Sequence, residues 1–181
     1  MKKVYAKDVY DKVIELLPLR GVSLRDIGEL VFFLQQKYIP NLQIEDCIES
    51  VERVLEKREV QNALLTGIQL DMLAEEGKLM SPLQEMLASD EPLYGVDEVM
   101  ALAIVNIYGS IGFTNFGYID KEKHGVLGKL NDKRYGSHTF LDDLVGAVAA
   151  AASSRLAHRY RHVEEGQWRA LSHQDNSDSS I

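Results

Sequence analysis

Two pairs of adjacent acids, Asp97 with Glu98 and Asp142 with Asp143, each stand at the start of an apolar stretch. A third acid, Asp120, lies between them in a segment rich in Gly and aromatic residues, close to Lys121, Lys123 and His124. Carboxylates that face a packed interior are costly unless something positive sits among them. Hard oxygen donors of this kind suit magnesium or another hard divalent cation, which takes one or two carboxylates, keeps several waters and accepts phosphate oxygens. Such an ion neutralises phosphate charge and can orient or activate a water, so the chemistry indicated is phosphate-ester hydrolysis. On this reading Asp97, Glu98, Asp142 and Asp143 are metal ligands, and Asp120, Asp142 and Lys123 do the catalytic work. Lys121 and Lys123 are suited to phosphoryl oxygens as point charges. His124 or His138 could protonate a leaving oxygen if within hydrogen-bond reach. Acids in a first helical turn also serve as caps and as partners of the helix dipole, and that alternative stands beside the catalytic one.

The elements that must position these groups read as helices throughout. Residues 8–19 carry Val9, Val13, Leu16 and Leu17 at helical spacing, and Gly21 ends the run. Ser23 with Asp26 forms a capping-box pattern for a second helix, which stops before Pro40. Residues 41–77 read as a long helical region with a break or kink, because the apolar face moves round after Val60. Along its first half Glu45, Glu49, Glu52, Glu56 and Glu59 share one stripe. That stripe is a solvated face or, on the functional reading, a second metal platform from which Glu59 is the member retained as a ligand. Pro82 is expected at the first position of a short helix. An amphipathic helix follows Gly95, and 109–125 is expected to be loop-rich because Gly109, Gly112, Gly117 and Gly125 punctuate it. Residues 126–130 make one or two helical turns, and 131–136 a polar turn. Thr139 with Asp142 suggests a capping box for the last helix, whose run of Ala and Ser between 147 and 154 lets neighbours approach on every side. The fold expected is all-α: one bundle of about six to eight helices around a small-residue central helix. It occupies 1–165, with 166–181 a polar tail that has nothing to bury.

Composition limits the function classes. The chain has 181 residues and a formal net charge of −8, with 45% hydrophobic and 27% charged residues. That length suits a single buried core. The acidity argues against a nucleic-acid partner and against tight attraction to an anionic membrane. The single cysteine, Cys47, excludes an internal disulfide and a cysteine-based zinc site, and fits a core position in a reducing compartment. The N-terminus does not read as a signal peptide. The longest apolar candidate for a membrane span, 99–113, falls short of the roughly 18 residues needed. The expectation is a cytoplasmic protein with at most peripheral contact to the inner face of the membrane. Its long apolar faces allow self-association into a homo-oligomer.

Three blocks resemble the phosphatidylglycerophosphatase A family. VDEV at 96–99 is similar to an apolar-Asp-Glu block ahead of a hydrophobic helix. FGYIDKEK at 116–123 resembles an aromatic-rich segment ending in Asp-x-x-Lys, which puts Asp120 and Lys123 on family positions. FLDDLVGA at 140–147 resembles an apolar-Asp-Asp-apolar block followed by small residues. The resemblance implies a magnesium-dependent phosphatase acting on the terminal phosphate of phosphatidylglycerophosphate in phospholipid synthesis. An N-terminal Gly/Pro/Thr-rich block and membrane spans, usual in the family, are not found. His124, Gly125 and Val126 stand where a Pro-aromatic-Pro is usual. In these respects the chain is similar to a soluble Gram-positive subgroup connected with a low temperature requirement, all-helical around a central helix. The competing readings are a metal-dependent phosphatase or pyrophosphohydrolase for a nucleotide or other small phosphate, and a non-enzymatic assembly or regulatory module.

Overall fold

The computed structural model describes residues 3–92, 94–132, 134 and 136–178. Apolar spacing gives α1 (Ala6–Leu19) one buried face of Val9, Val13, Leu16 and Leu17. At the start of α2 (Leu24–Gln35), Asp26 N–H donates to Ser23 Oγ at 3.1 Å, and Ser23 N–H donates back to Asp26 Oδ2 at 2.8 Å. The capping box read from the sequence is therefore formed. The 41–77 region divides into α3 (Ile44–Leu55) and α4 (Arg58–Glu75). Lys57 is extended at the junction, with ψ 128°, and Gln61 Nε2 donates to the Leu55 carbonyl at 2.9 Å, satisfying one acceptor at the end of α3. The break lets the buried face change direction. Helix α5 (Leu83–Ser89) starts one residue later than expected, with Pro82 at its N-cap.

The expectation of a loop-rich 109–125 is overturned. Helix α6 (Val96–Val105) passes through a 3-10 turn, Asn106–Tyr108, directly into α7 (Gly109–Glu122), and α8 (Val126–Leu130) follows. Three glycines did not break the chain, because α7 packs on the central helix, and tertiary packing outweighs weak propensity. The membrane-span reading changes with it. Taken together, Val96–Glu122 is long and apolar enough to cross a membrane by length and composition, yet it is folded as two helices joined by the 3-10 turn.

Helix α9 (Leu141–Asp178) is the centre of the molecule. Ala147, Val148, Ala149, Ala150, Ala151 and Ala152 are all fully buried. Six consecutive residues sweep more than a full turn, so this part of α9 is covered on every side, by α2, α3, α4, α6 and α7. Small side chains permit that approach. At the α4 crossing a Cβ on Gly67 would stand 2.4 Å from Leu144 Cδ1 and 2.9 Å from Phe140 Cβ. Polar ties fix the register: Ser50 Oγ donates to the Ala152 carbonyl at 2.9 Å and Ser154 Oγ to the Tyr108 carbonyl at 2.7 Å. The architecture is the all-α bundle expected. Among the described residues seven helices span ten residues or more, and α5 and α8 are short. Helix α9 continues to Asp178, past the boundary at 165 that polar composition suggested. Residues 133 and 135 of the anticipated polar turn, and 179–181, lie outside the described residues.

The start of α9 is capped from another helix. Asp71 of α4 is fully buried and accepts from Phe140 N–H at 3.1 Å and Leu141 N–H at 3.0 Å. Thr139, expected to cap the last helix in a box with Asp142, instead donates its hydroxyl to the Leu87 carbonyl at 2.8 Å. Burial pushes the Asp71 carboxyl up to about 8, against the pull of the two amides and of Arg20. Arg20, at the end of α1, grips Glu75 through both nitrogens at 2.7 and 2.8 Å. It also donates to the Ser137 carbonyl at 2.8 Å, while Ser137 N–H donates to Glu75 at 2.9 Å. The ends of α1 and α4 thereby hold the segment that leads into α9.

Asp71→Ala leaves two buried amides without an acceptor and should cost about 2–4 kcal/mol of stability. Asp71→Asn, which keeps an acceptor oxygen, should cost less; urea denaturation of both variants checks the order. A second prediction concerns Glu75, whose carboxyl Arg20 holds below its ordinary value. The pair therefore stabilises the fold above the ordinary glutamate range, about pH 4.3, and loses that contribution as pH falls through the depressed native value. Glu75→Gln should be about 1–2 kcal/mol less stable than the parent near neutrality. Denaturation repeated from about pH 7 down to about pH 3 should show the gap closing.

Candidate active site

Four of the seven site residues named from the sequence, Asp120, Lys123, Asp142 and Asp143, arrive at one place through two helix ends. Helix α7 finishes at Glu122, and Lys123 turns the chain in the left-handed conformation, φ 47° and ψ 44°, its N–H bonded to the Ile119 carbonyl at 2.9 Å. Its ammonium lies 2.7 Å from Asp120 Oδ1, 2.9 Å from Asp142 Oδ2 and 3.7 Å from Asp143 Oδ1. Asp120 comes from the last turn of α7, and Asp142 and Asp143 from the first turn of α9. Asp142 Oδ1 also accepts from Asp143 N–H at 2.9 Å, so one of its oxygens caps the helix while the other faces the lysine.

The electrostatics are those of too many acids around one cation. Burial raises the Asp142 carboxyl, with Lys123 pulling the other way. Asp143 is pushed up to about 8 by burial, and then by the like charges of Asp142, Asp120 and Asp97. Burial works against the Lys123 ammonium, yet Asp142 and Asp120 hold its pKa above the ordinary lysine value. Asp97, at the start of α6, thus belongs to the electrostatic neighbourhood of the cluster.

Two predicted ligands lie elsewhere. Glu98 is exposed and is not among the charges that act on Asp142 or Asp143. Glu59 is exposed at the start of α4 and acts on Tyr108, whose carbonyl binds Ser154. Ser154 is eleven residues beyond Asp143 on α9, about 17 Å at the helical rise. Glu59 and the acidic cluster therefore sit at different levels of the bundle. His124 is exposed and stacks on Phe33, ring centroids 4.0 Å apart. Arg159, about midway along α9, pairs with Glu49 at 3.1 Å.

As they stand, no three His, Cys, Asp or Glu side chains among the described residues are disposed to hold one ion together. The donor chemistry nevertheless fits a hard divalent cation. Three carboxylates gather about the Lys123 ammonium and Asp97 adds like charge to Asp143; Asp142 and Asp143 are held above their ordinary pKa, and added positive charge is what would relieve them.

Asp142 also borders a cavity of about 310 Å³, whose lining includes Glu75, Asp90, Asn131, Ser137 and His138. Arg20 Nη2 is 3.2 Å from His138 Nδ1. A guanidinium can only donate, which makes Nδ1 the acceptor and puts the proton of a neutral ring on Nε2. Asp71, Arg20, Asp90 and Asn131 were not found from the sequence. For Asp71 a signal was present: it falls on the apolar stripe of α4 with Leu64 and Ile68, at i, i+4 and i+7.

Comparison with known proteins shows the family. The family model of phosphatidylglycerophosphatase A matches residues 17–158. The chain is 70% identical over 146 residues to the uncharacterized protein YutG of Bacillus subtilis, covering 80% of this chain and 88% of YutG. Among solved structures, the low temperature requirement C protein from Listeria monocytogenes superposes with a TM-score of 0.82 at 62% identity, covering 84% of this chain and 97% of that one. The YpjQ protein from Bacillus subtilis superposes with a TM-score of 0.85 at 51% identity, covering 88% of this chain and 99% of that one. With that match spanning the buried part of the central helix and all the acids of the cluster, this chain belongs to the phosphatidylglycerophosphatase A family.

Proposed function

We propose that the chain is a magnesium-dependent phosphatase that removes a terminal phosphate from a lipid head group, phosphatidylglycerophosphate being the substrate that its family suggests. The observation that carries this reading is the surplus of carboxylates, Asp120, Asp142 and Asp143 around Lys123 with Asp97 acting on Asp143, beside a polar cavity. Asp97, Asp142 and Asp143 would hold the ion, which when bound supplies positive charge to the phosphate and lowers the pKa of a coordinated water. Lys123 then offers its ammonium to the phosphoryl oxygens, held in place by Asp120. Asp142 commits Oδ1 to the helix and Oδ2 to Lys123, and Oδ2 would steer a water or accept its proton once Lys123 turns to the phosphoryl oxygens. His138, in the same cavity wall, is a proton source for the leaving oxygen. The enzyme would work from the cytoplasm at the inner face of the membrane.

The test is phosphate release from phosphatidylglycerophosphate in mixed micelles, from a nucleotide and from a small phosphate monoester, each with magnesium and after chelation. Release from the lipid alone, and only with the metal, is expected. Preference for a soluble substrate would move the chain to that class, and full activity after chelation would overturn the metal. Asp142→Asn and Asp143→Asn should each lower turnover by about 10²–10³-fold while circular dichroism stays unchanged.

A further inference from the structure

A groove between the end of α2 and α7 has no part in the chemistry above. Gln35, Tyr38, Ile111, Thr114, Asn115 and Ala157 line a cavity of about 400 Å³ there. It runs into a second of about 300 Å³, since Tyr38, Thr114 and Asn115 line both. The second adds Phe33, Tyr118 and Lys37, the last being the one charged side chain among the described lining residues. The fold makes little use of the polar groups. Gln35 is 3% exposed, and its backbone carbonyl accepts from Tyr38 N–H at 2.9 Å and Ile39 N–H at 3.0 Å. Its side-chain amide has no hydrogen-bond partner among the described residues. The Asn115 amide nitrogen is buried and equally without a partner. Thr114 Oγ1 donates to the Ser110 carbonyl at 3.1 Å, so that hydroxyl is left to accept. Buried amides are nearly always paired, and two unpaired ones at one cavity require a reason. Apolar walls with a few placed polar groups, at this volume, are the make-up of a small-molecule site.

We propose that this groove binds a nucleotide, its base in the cavity of Gln35 and Asn115 and its phosphate near Lys37. Each side-chain amide offers a donor and an acceptor, and the edge of a base presents both. Ile111 and Ala157 suit the apolar faces of a flat ring, and Tyr38, exposed by 72%, has a ring face on which a base can stack. Other ligand classes fit one half of the site and fail the other. An acyl chain would satisfy the walls and leave both amides unpaired. A polyol would satisfy the amides and press hydroxyls against Ile111 and Ala157. Lys37 supplies a cation for a phosphate. The site is separate from the proposed reaction, because no residue of the acidic cluster lines either cavity.

The test is titration of the full chain with AMP, CMP, GMP and UMP, followed by calorimetry and by the side-chain amide resonances of isotope-labelled protein. A chelator is present throughout, so failure of the metal reading leaves the result intact. At least one nucleotide should bind and shift the Gln35 and Asn115 amide signals. Gln35→Leu and Asn115→Leu keep the size of the side chain and remove the amide. Each should weaken binding by about tenfold or more. Their melting temperatures should hold or rise, because a buried unpaired group is lost. Lys37→Ala should weaken the nucleotide and leave the matching nucleoside unchanged. Absence of binding by all four nucleotides at millimolar concentration overturns the proposal, as does parent-like affinity in both Leu variants. So does ribose 5-phosphate binding as tightly as the nucleotides, or a response of these amides to dihexanoylphosphatidylglycerol alone.

Discussion

Helix α9 begins inside the protein, and a helix that begins in the interior brings unpartnered amide N–H groups and the positive end of its dipole into a poorly solvated place. The rest of the molecule answers that constraint. Asp71 reaches across from α4 to accept from Phe140 and Leu141, and Asp142 accepts from the next amide. Asp142 and Asp143 then stand among acids, with Asp120 and Asp97 adding like charge to Asp143. What satisfies the backbone also concentrates negative charge, and Lys123 is the counter-ion that the chain itself supplies. Structure and candidate chemistry share this origin: carboxylates drawn to a helix start for physical reasons are the groups that a hard cation and a phosphate would use.

The central helix imposes a second condition. A segment with six successive buried residues must be narrow, because five neighbouring helices compete for its surface. Alanine and serine meet that demand; Ser154 of α9 donates to the Tyr108 carbonyl, and Ser50 of α3 donates to the Ala152 carbonyl of α9. Gly67 meets it from the other side by letting α4 lie against Leu144 and Phe140. Close packing carries the position of Asp71 to the start of α9 with little slack, since α4 presents both the glycine at the crossing and the capping acid one turn further on. The Cys47 thiol, buried and pushed up to about 12 by desolvation, belongs to this packing and is poorly suited to nucleophilic work.

Much of this was written in the order of residues. Helical periodicity, the Ser23–Asp26 box and the small-residue run were sufficient for an all-α bundle with a central helix, because each is a local pattern with a local cause. Asp120, Asp142, Asp143 and Lys123 were identifiable as a set from residue type and from the family blocks. Other features depended on partners distant in the chain. The glycines of α7 read as breakers because their propensity is poor, and only packing against α9 makes them helical. Thr139 read as a cap because its spacing to Asp142 is right, yet the local pattern could not show that α4 brings Asp71 to the same amides. Glu59 read as a ligand from a stripe of acids, and the bundle sets it at another level.

The sequence by itself determined the kind of elements, the identity of the small central helix and the residues with chemistry to offer, since those follow from side-chain type and short-range periodicity. The tertiary structure alone decided which acids meet. Distance between residues 71, 97, 120 and 142 is set by how the helices cross, and crossing is governed by the fit of whole surfaces that no local stretch contains. It likewise decided that Lys123 stands between Asp120 and the Asp142–Asp143 pair, because a side chain finds its counter-ions only after the helix ends that carry them have been packed together.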